Sequence, residues 1–182
     1  RRLDSRTLSI IKSEITRITN TFISDYDVLN TFCPKEDEIN FCGFESLIKE
    51  NKIVVLNMNI AKYKNLSKII AAYLKLDFQS EVLIQLSNKK SISPTVFMCD
   101  EYHEYVTLSD SDFFAQSREA KCINIVATQS YTSLLNTLKD ESSVKVILQN
   151  LVNKIWLRTD DIFTIESAQK QIGREDKIKY SR

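Results

Sequence analysis

Asp100 and Glu101 are adjacent carboxylates that close the apolar run Val96-Phe97-Met98-Cys99. A second apolar run, Ile123 to Thr128, closes with Gln129-Ser130. In nucleotide hydrolases the first pattern holds a metal ion and primes a water. Asp100 would hold Mg²⁺ through water, because magnesium keeps much of its hydration shell. Glu101 would orient the attacking water and take its proton. The amide of Gln129 can both donate to a phosphate oxygen and accept from water. Each feature also has a plain alternative: two solvated acids ending a strand, and a polar residue capping the next helix. An apolar run followed by two acids is a weak pattern on its own. Two such strand ends in register make the catalytic reading the better one.

Arg118, in Ser117-Arg118-Glu119-Ala120, ends the helix expected between these strands. Its guanidinium suits a phosphate, within the chain or in a neighbouring subunit. Its ordinary role would be a cation on the helix carboxyl terminus. Arg158 is a weaker candidate of the same kind. His103 is the only histidine and is expected to face solvent from a loop. Trp156, Tyr102 and Tyr105 are expected to be core or rim aromatics.

What would grip a nucleotide's phosphates is missing from these residues. A phosphate-cradling loop needs two glycines in one short loop, followed by Lys and Ser or Thr. The chain has two glycines, Gly43 before Phe44 and Gly173 before Arg174, so neither that loop nor a dinucleotide fingerprint fits. The residues look like half of an ATPase site, inactive by themselves.

Composition narrows the class further. Within 182 residues, 43% hydrophobic content supports a sizeable core and 27% charged residues an ordinary water-facing surface. Lys plus Arg number 25 against 24 for Asp plus Glu, so the net charge of +1 offers no overall basic field for nucleic acid. The longest apolar run, Ile69 to Leu74, is too short to cross a bilayer. The opening Arg1-Arg2-Leu3-Asp4 has no leader-like apolar segment, and the missing initiating Met suggests a chain cut from a larger one. Cys33, Cys42, Cys99 and Cys122 lack zinc-ligand spacing and suggest a reduced, cytosolic setting.

The elements that must position these residues follow from periodicity. Leu8, Ile11, Ile15, Ile18 and Phe22 recur at helical steps, and residues 1–38 are expected to form a helical segment. Residues 39–182 are expected to be the α/β part. Ile39–Cys42, Lys52–Asn57, residues 95–100, residues 122–128 and Lys154–Arg158 read as strands. Helices are expected over Phe44–Glu50, from Leu66 to about Leu86, from Ser109 to about Ala120, over 131–138, and around Val144–Leu151. A last helix, capped by Thr159 or Asp160, should end at Gly173. Strands alternating with helices predict a parallel sheet flanked by helices.

Val96 to Tyr102, Ser117-Arg118-Glu119 and Ala127-Thr128-Gln129-Ser130 together resemble the conjugative coupling-protein ATPases, the TraG/TraD family of type IV secretion systems. Ile147-Leu148-Gln149-Asn150, Trp156 to Asp160 and Gln171-Ile172-Gly173-Arg174 extend the resemblance, which covers residues 39 to 175. It implies the carboxyl-terminal part of a RecA-like P-loop NTPase domain, with residues 1–38 as the tail of an all-α insert. Asp100 and Glu101 would be the Walker B pair, Asp100 serving ATP and Mg²⁺. Gln129 would sense phosphate, and Arg118 would reach a neighbouring subunit's site. The phosphate loop and membrane anchors would lie upstream. The parent protein would be a hexameric ATPase at the cytoplasmic face of the bacterial inner membrane, this segment alone a monomer. It would move single-stranded DNA or a relaxase-DNA complex, and meet relaxosome proteins and channel components. Two alternatives are a nucleotide-independent docking module for relaxosome or effector proteins, and a related ring DNA translocase.

Overall fold

A computed structural model describes residues 4–87 and 93–173; Arg174 of the last motif and both chain ends lie outside them. The amino-terminal helices are α1, Ser5–Ile23, and α2, Tyr26–Phe32. The apolar stripe of α1 forms as expected, yet none of its residues is buried, and Leu8, Ile11, Ile15 and Ile18 face solvent. Asp25 starts α2 by accepting from the Asp27 and Val28 amides at 3.0 and 3.1 Å. A 3-10 turn at Glu36–Glu38 then leads to α3, Phe44–Lys49, and the short α4, Ile60–Tyr63.

The long helix α5, Asn65–Ser87, joins two apolar clusters. Leu66 and Ile70 in its first half pack with Val28 of α2. Val82 in its second half belongs to the main core, with Tyr102, Val106, Phe113, Phe114, Leu134, Val144 and Ile147. The remaining elements are β1 (Thr95–Cys99), a 3-10 turn (Tyr102–Glu104), α6 (Asp110–Ser117), β2 (Cys122–Val126), α7 (Tyr131–Leu138), α8 (Glu141–Asn150) and α9 (Ile162–Ile172). β1 and β2 pair in parallel, with Thr95 opposite Cys122 and Cys99 opposite Val126, and α6 connects them. The chain is thus a mixed α/β structure, mostly helical, with a two-stranded parallel sheet among the described residues.

Three expected strands are not formed. Ile39–Cys42, Lys52–Asn57 and Lys154–Arg158 carry no regular secondary structure. A strand needs a neighbour's N–H and C=O groups, and none of the three segments is paired with another strand. Most of their side chains stay in water, with Ile53 and Ile155 each 91% exposed, while Lys154 and Trp156 are half-buried. Two helix ends also differ from expectation. α6 stops at Ser117, short of Ala120, because residues 118–121 form turns that lead into β2. The cap of α9 is Asp161, not Thr159 or Asp160, since its carboxylate accepts from the Thr164 amide at 2.9 Å. Gly173, at φ 83°, does end that helix. Among the described residues, no helix is long and apolar enough to cross a membrane.

Candidate functional site

Parallel pairing of β1 and β2 brings their carboxyl ends to one edge, where open α/β sheets place their ligands. The ladder continues one step beyond the strands. Ala127 N–H donates to the Cys99 carbonyl at 2.9 Å, and Tyr102 N–H donates to the Ala127 carbonyl at 2.8 Å. Asp100-Glu101 and Thr128-Gln129 therefore leave the sheet side by side. Gln129 Nε2 donates to Glu101, 3.3 Å from Oε1 and 3.2 Å from Oε2. The carboxylate and the amide meet as the two runs imply.

The backbone at Glu101 is unusual. Its φ of 47° and ψ of 41° place it in the left-handed region, disfavoured for a side chain of this kind. Asp100 supports the turn, since its Oδ1 accepts from the Glu101 amide at 2.9 Å. The left-handed step turns Tyr102 inward while Glu101 stays at the rim, its side chain 42% exposed. Asn51, Lys64, Lys121 and Lys139 share a positive φ, but Glu101 alone among them stands at the carboxyl edge of the sheet.

Tyr102 is fully buried and anchors the turn through a polar network that the sequence reading did not find. Its hydroxyl donates to Asp110 Oδ2 at 2.6 Å. Lys75 Nζ donates to both Asp110 oxygens, at 2.7 and 2.5 Å, and to the Tyr105 carbonyl at 2.8 Å. Gln79 Nε2 and the Thr107 amide each donate to the same carboxylate at 3.0 Å. Burial pushes the Lys75 pKa below the ordinary lysine range, with Asp110 opposing it. Burial, and then Asp110, push the Tyr102 hydroxyl well above its usual value. Burial also pushes the Cys99 thiol up to about 11. One signal in the sequence pointed here: Lys75 and Gln79 share one helix face with Val82, a polar pair on an apolar stripe.

His103 departs from its expected place in solvent. Its side chain is only 12% exposed, and it joins the site. Nδ1 lies 3.3 Å from Glu101 Oε2 and 3.3 Å from Thr128 Oγ1, while Nε2 lies 3.6 Å from Glu104 Oε1. Glu104 is paired with Lys68 of α5, and that contact first of all holds its carboxyl below the usual range.

Arg118 is not brought to this edge. It is exposed, it caps the carboxyl end of α6, and its carbonyl accepts from Lys121 just before β2 begins. It therefore stands at the amino-terminal edge of the sheet, on the order of 15 Å along the strands from Glu101. A role for it beside Glu101 within one chain is removed. Arg158 is exposed in an irregular segment rather than at a strand end.

A hard cation fits the donor chemistry at Asp100. One carboxylate oxygen is taken by the Glu101 amide and the exposed side chain offers the other, which suits an ion held largely by water. Among the described residues, no group of three or more His, Cys, Asp or Glu is placed to hold a metal by itself. Glu101 is accessible to water and can accept a proton from it. Gln129 uses one amide proton on Glu101, which leaves a second donor and its carbonyl oxygen for a ligand. No protein family, curated protein or solved structure matches the chain.

Proposed function

We propose that this chain is the carboxyl-terminal part of a RecA-like, ATP-driven coupling motor of the TraG/TraD kind. Such a motor moves DNA or a relaxase-DNA complex toward a conjugative type IV secretion channel. The observation that carries this reading is the contact of Glu101 with Gln129 at the shared edge of two parallel strands. A carboxylate to prime water and an amide to read phosphate are what hydrolysis asks of this half of a site. Asp100 would hold Mg²⁺, whose part is to neutralise charge building on the phosphates. The phosphate loop is a part that residues 1–182 do not supply, so turnover belongs to the assembled motor. There Arg118, at the far edge of the sheet, would serve a neighbouring subunit. A hexameric ring at the inner membrane's cytoplasmic face, with relaxosome and channel partners, belongs to the same proposal.

The test is Glu101→Gln in the protein that includes the phosphate loop. ATP turnover should fall by about 10²-fold or more while nucleotide still binds. Near-normal hydrolysis would take Glu101 out of the base role. A second reading, nucleotide-independent docking of partner proteins, is favoured by the uncovered apolar face of α1. Tight, nucleotide-independent partner capture that is lost on removal of residues 4–23 would support it, and the absence of any such capture would count against it.

A further inference from the structure

We propose that His103 is a positioning residue: its protonated Nδ1 holds the Glu101 carboxylate against Gln129. The proposal rests on Glu101 being the reactive carboxylate of the function proposed above. Both ring nitrogens face carboxylates, Glu101 at Nδ1 and Glu104 at Nε2. Ionised carboxylate oxygens only accept hydrogen bonds, so the Nδ1 contact is attractive when that nitrogen bears a proton. Thr128 Oγ1 can spend its own proton on the Ser130 carbonyl, 3.4 Å away, which leaves a lone pair for the same Nδ1–H.

The need for such a tether is physical. A half-exposed glutamate has several rotamers of similar energy, and fixing one costs side-chain entropy. Gln129 supplies one restraint at 3.2 Å, but its amide must also be free to turn toward a ligand. His103 supplies a restraint that stays when Gln129 turns away. The ring is suited to this, because it is largely buried.

A chain with one histidine makes the test direct. In ¹⁵N-histidine-labelled protein at pH 7, Nδ1 should carry a proton, and Glu101→Gln should move its signal. The Glu101 side-chain carboxyl ¹³C resonance should lose its native position in His103→Ala. It should keep that position in His103→Asn, whose Nδ2 stands where Nδ1 does. A bare Nδ1 in the native chain, or a carboxyl resonance unmoved by His103→Ala, would overturn the proposal. If the alanine variant does not fold, the tautomer and the Glu101→Gln shift decide the matter alone. In the assembled motor, His103→Ala should lower kcat by up to about a hundredfold with KM for ATP unchanged, and His103→Asn should restore most of it. A tethered Glu101 in a motor indifferent to Glu101→Gln would overturn the functional reading and leave the tether standing.

Discussion

Removing Asp110 tests the network that fixes the turn at Glu101. Asp110 is fully buried and receives Lys75, Gln79, Tyr102 and Thr107. In Asp110→Ala the Lys75 ammonium keeps its burial and loses its counter-ion, a change that costs about 3–5 kcal/mol. The Tyr102 hydroxyl and the Gln79 amide lose an acceptor too, but their costs overlap with that figure and do not simply add. Taking about 4 kcal/mol, and about 2–4 °C per kcal/mol for a chain of this size, the Tm should fall by about 8–16 °C. Thermal and urea unfolding at pH 7, followed by far-ultraviolet circular dichroism, would measure it. The double variant Lys75→Met with Asp110→Leu buries no charge and should recover at least about half of the loss. If Asp110→Ala stays within about 3 °C of the parent, or the double variant is no better than the single one, the buried pair does not hold this turn.

Three further outcomes follow from the same geometry. Glu101→Gly removes a left-handed penalty and gains unfolded-chain freedom, so it should leave stability within about 1 kcal/mol, whereas Glu101→Val should lose about 1–2 kcal/mol on chemical denaturation. Burial alone would raise the Asp161 pKa, but hydrogen bonds from Thr132 and Thr164 outweigh it and bring it below 3.8. A depressed carboxylate stabilises the fold above its unfolded value and loses that contribution as pH falls through the folded value. The Tm of the native chain should therefore decline more steeply below about pH 4 than that of Asp161→Ala, in thermal melts across an acid series. Ile147→Ala, in the main core, should cost about 2–5 kcal/mol, while Ile155→Ala, almost fully exposed, should stay within about 0.5 kcal/mol; urea midpoints compare the two.

The elements legible in the sequence are those that local chemistry decides. The stripe from Leu8 to Phe22 gave α1, and Gly173 closed α9. The adjoining acid pair and amide were legible because one parallel crossover carries both strand ends to one edge. Lys52–Asn57 and Lys154–Arg158 were misread for the opposite reason. Their β-branched content suits a pleated sheet, but a strand is made by its neighbour, and propensity does not supply one. His103 was missed because its burial depends on the left-handed backbone at Glu101, a conformation that glutamate does not advertise. Asp110 stands at the start of the helix expected from Ser109, where an acid reads as ordinary first-turn polarity. Its partner Lys75 stands 35 residues away, a pairing that only the fold reveals.

The small sheet has one further consequence. Val96, Met98, Ile123 and Ile125 alternate along β1 and β2, and all four are exposed. Contiguous oily patches of this sort adhere to whatever will exclude water from them. Dissolved at high concentration by itself, the polypeptide should light up environment-sensitive dyes and cling to its own kind. A companion surface laid over those four side chains would turn it into a well-behaved solute.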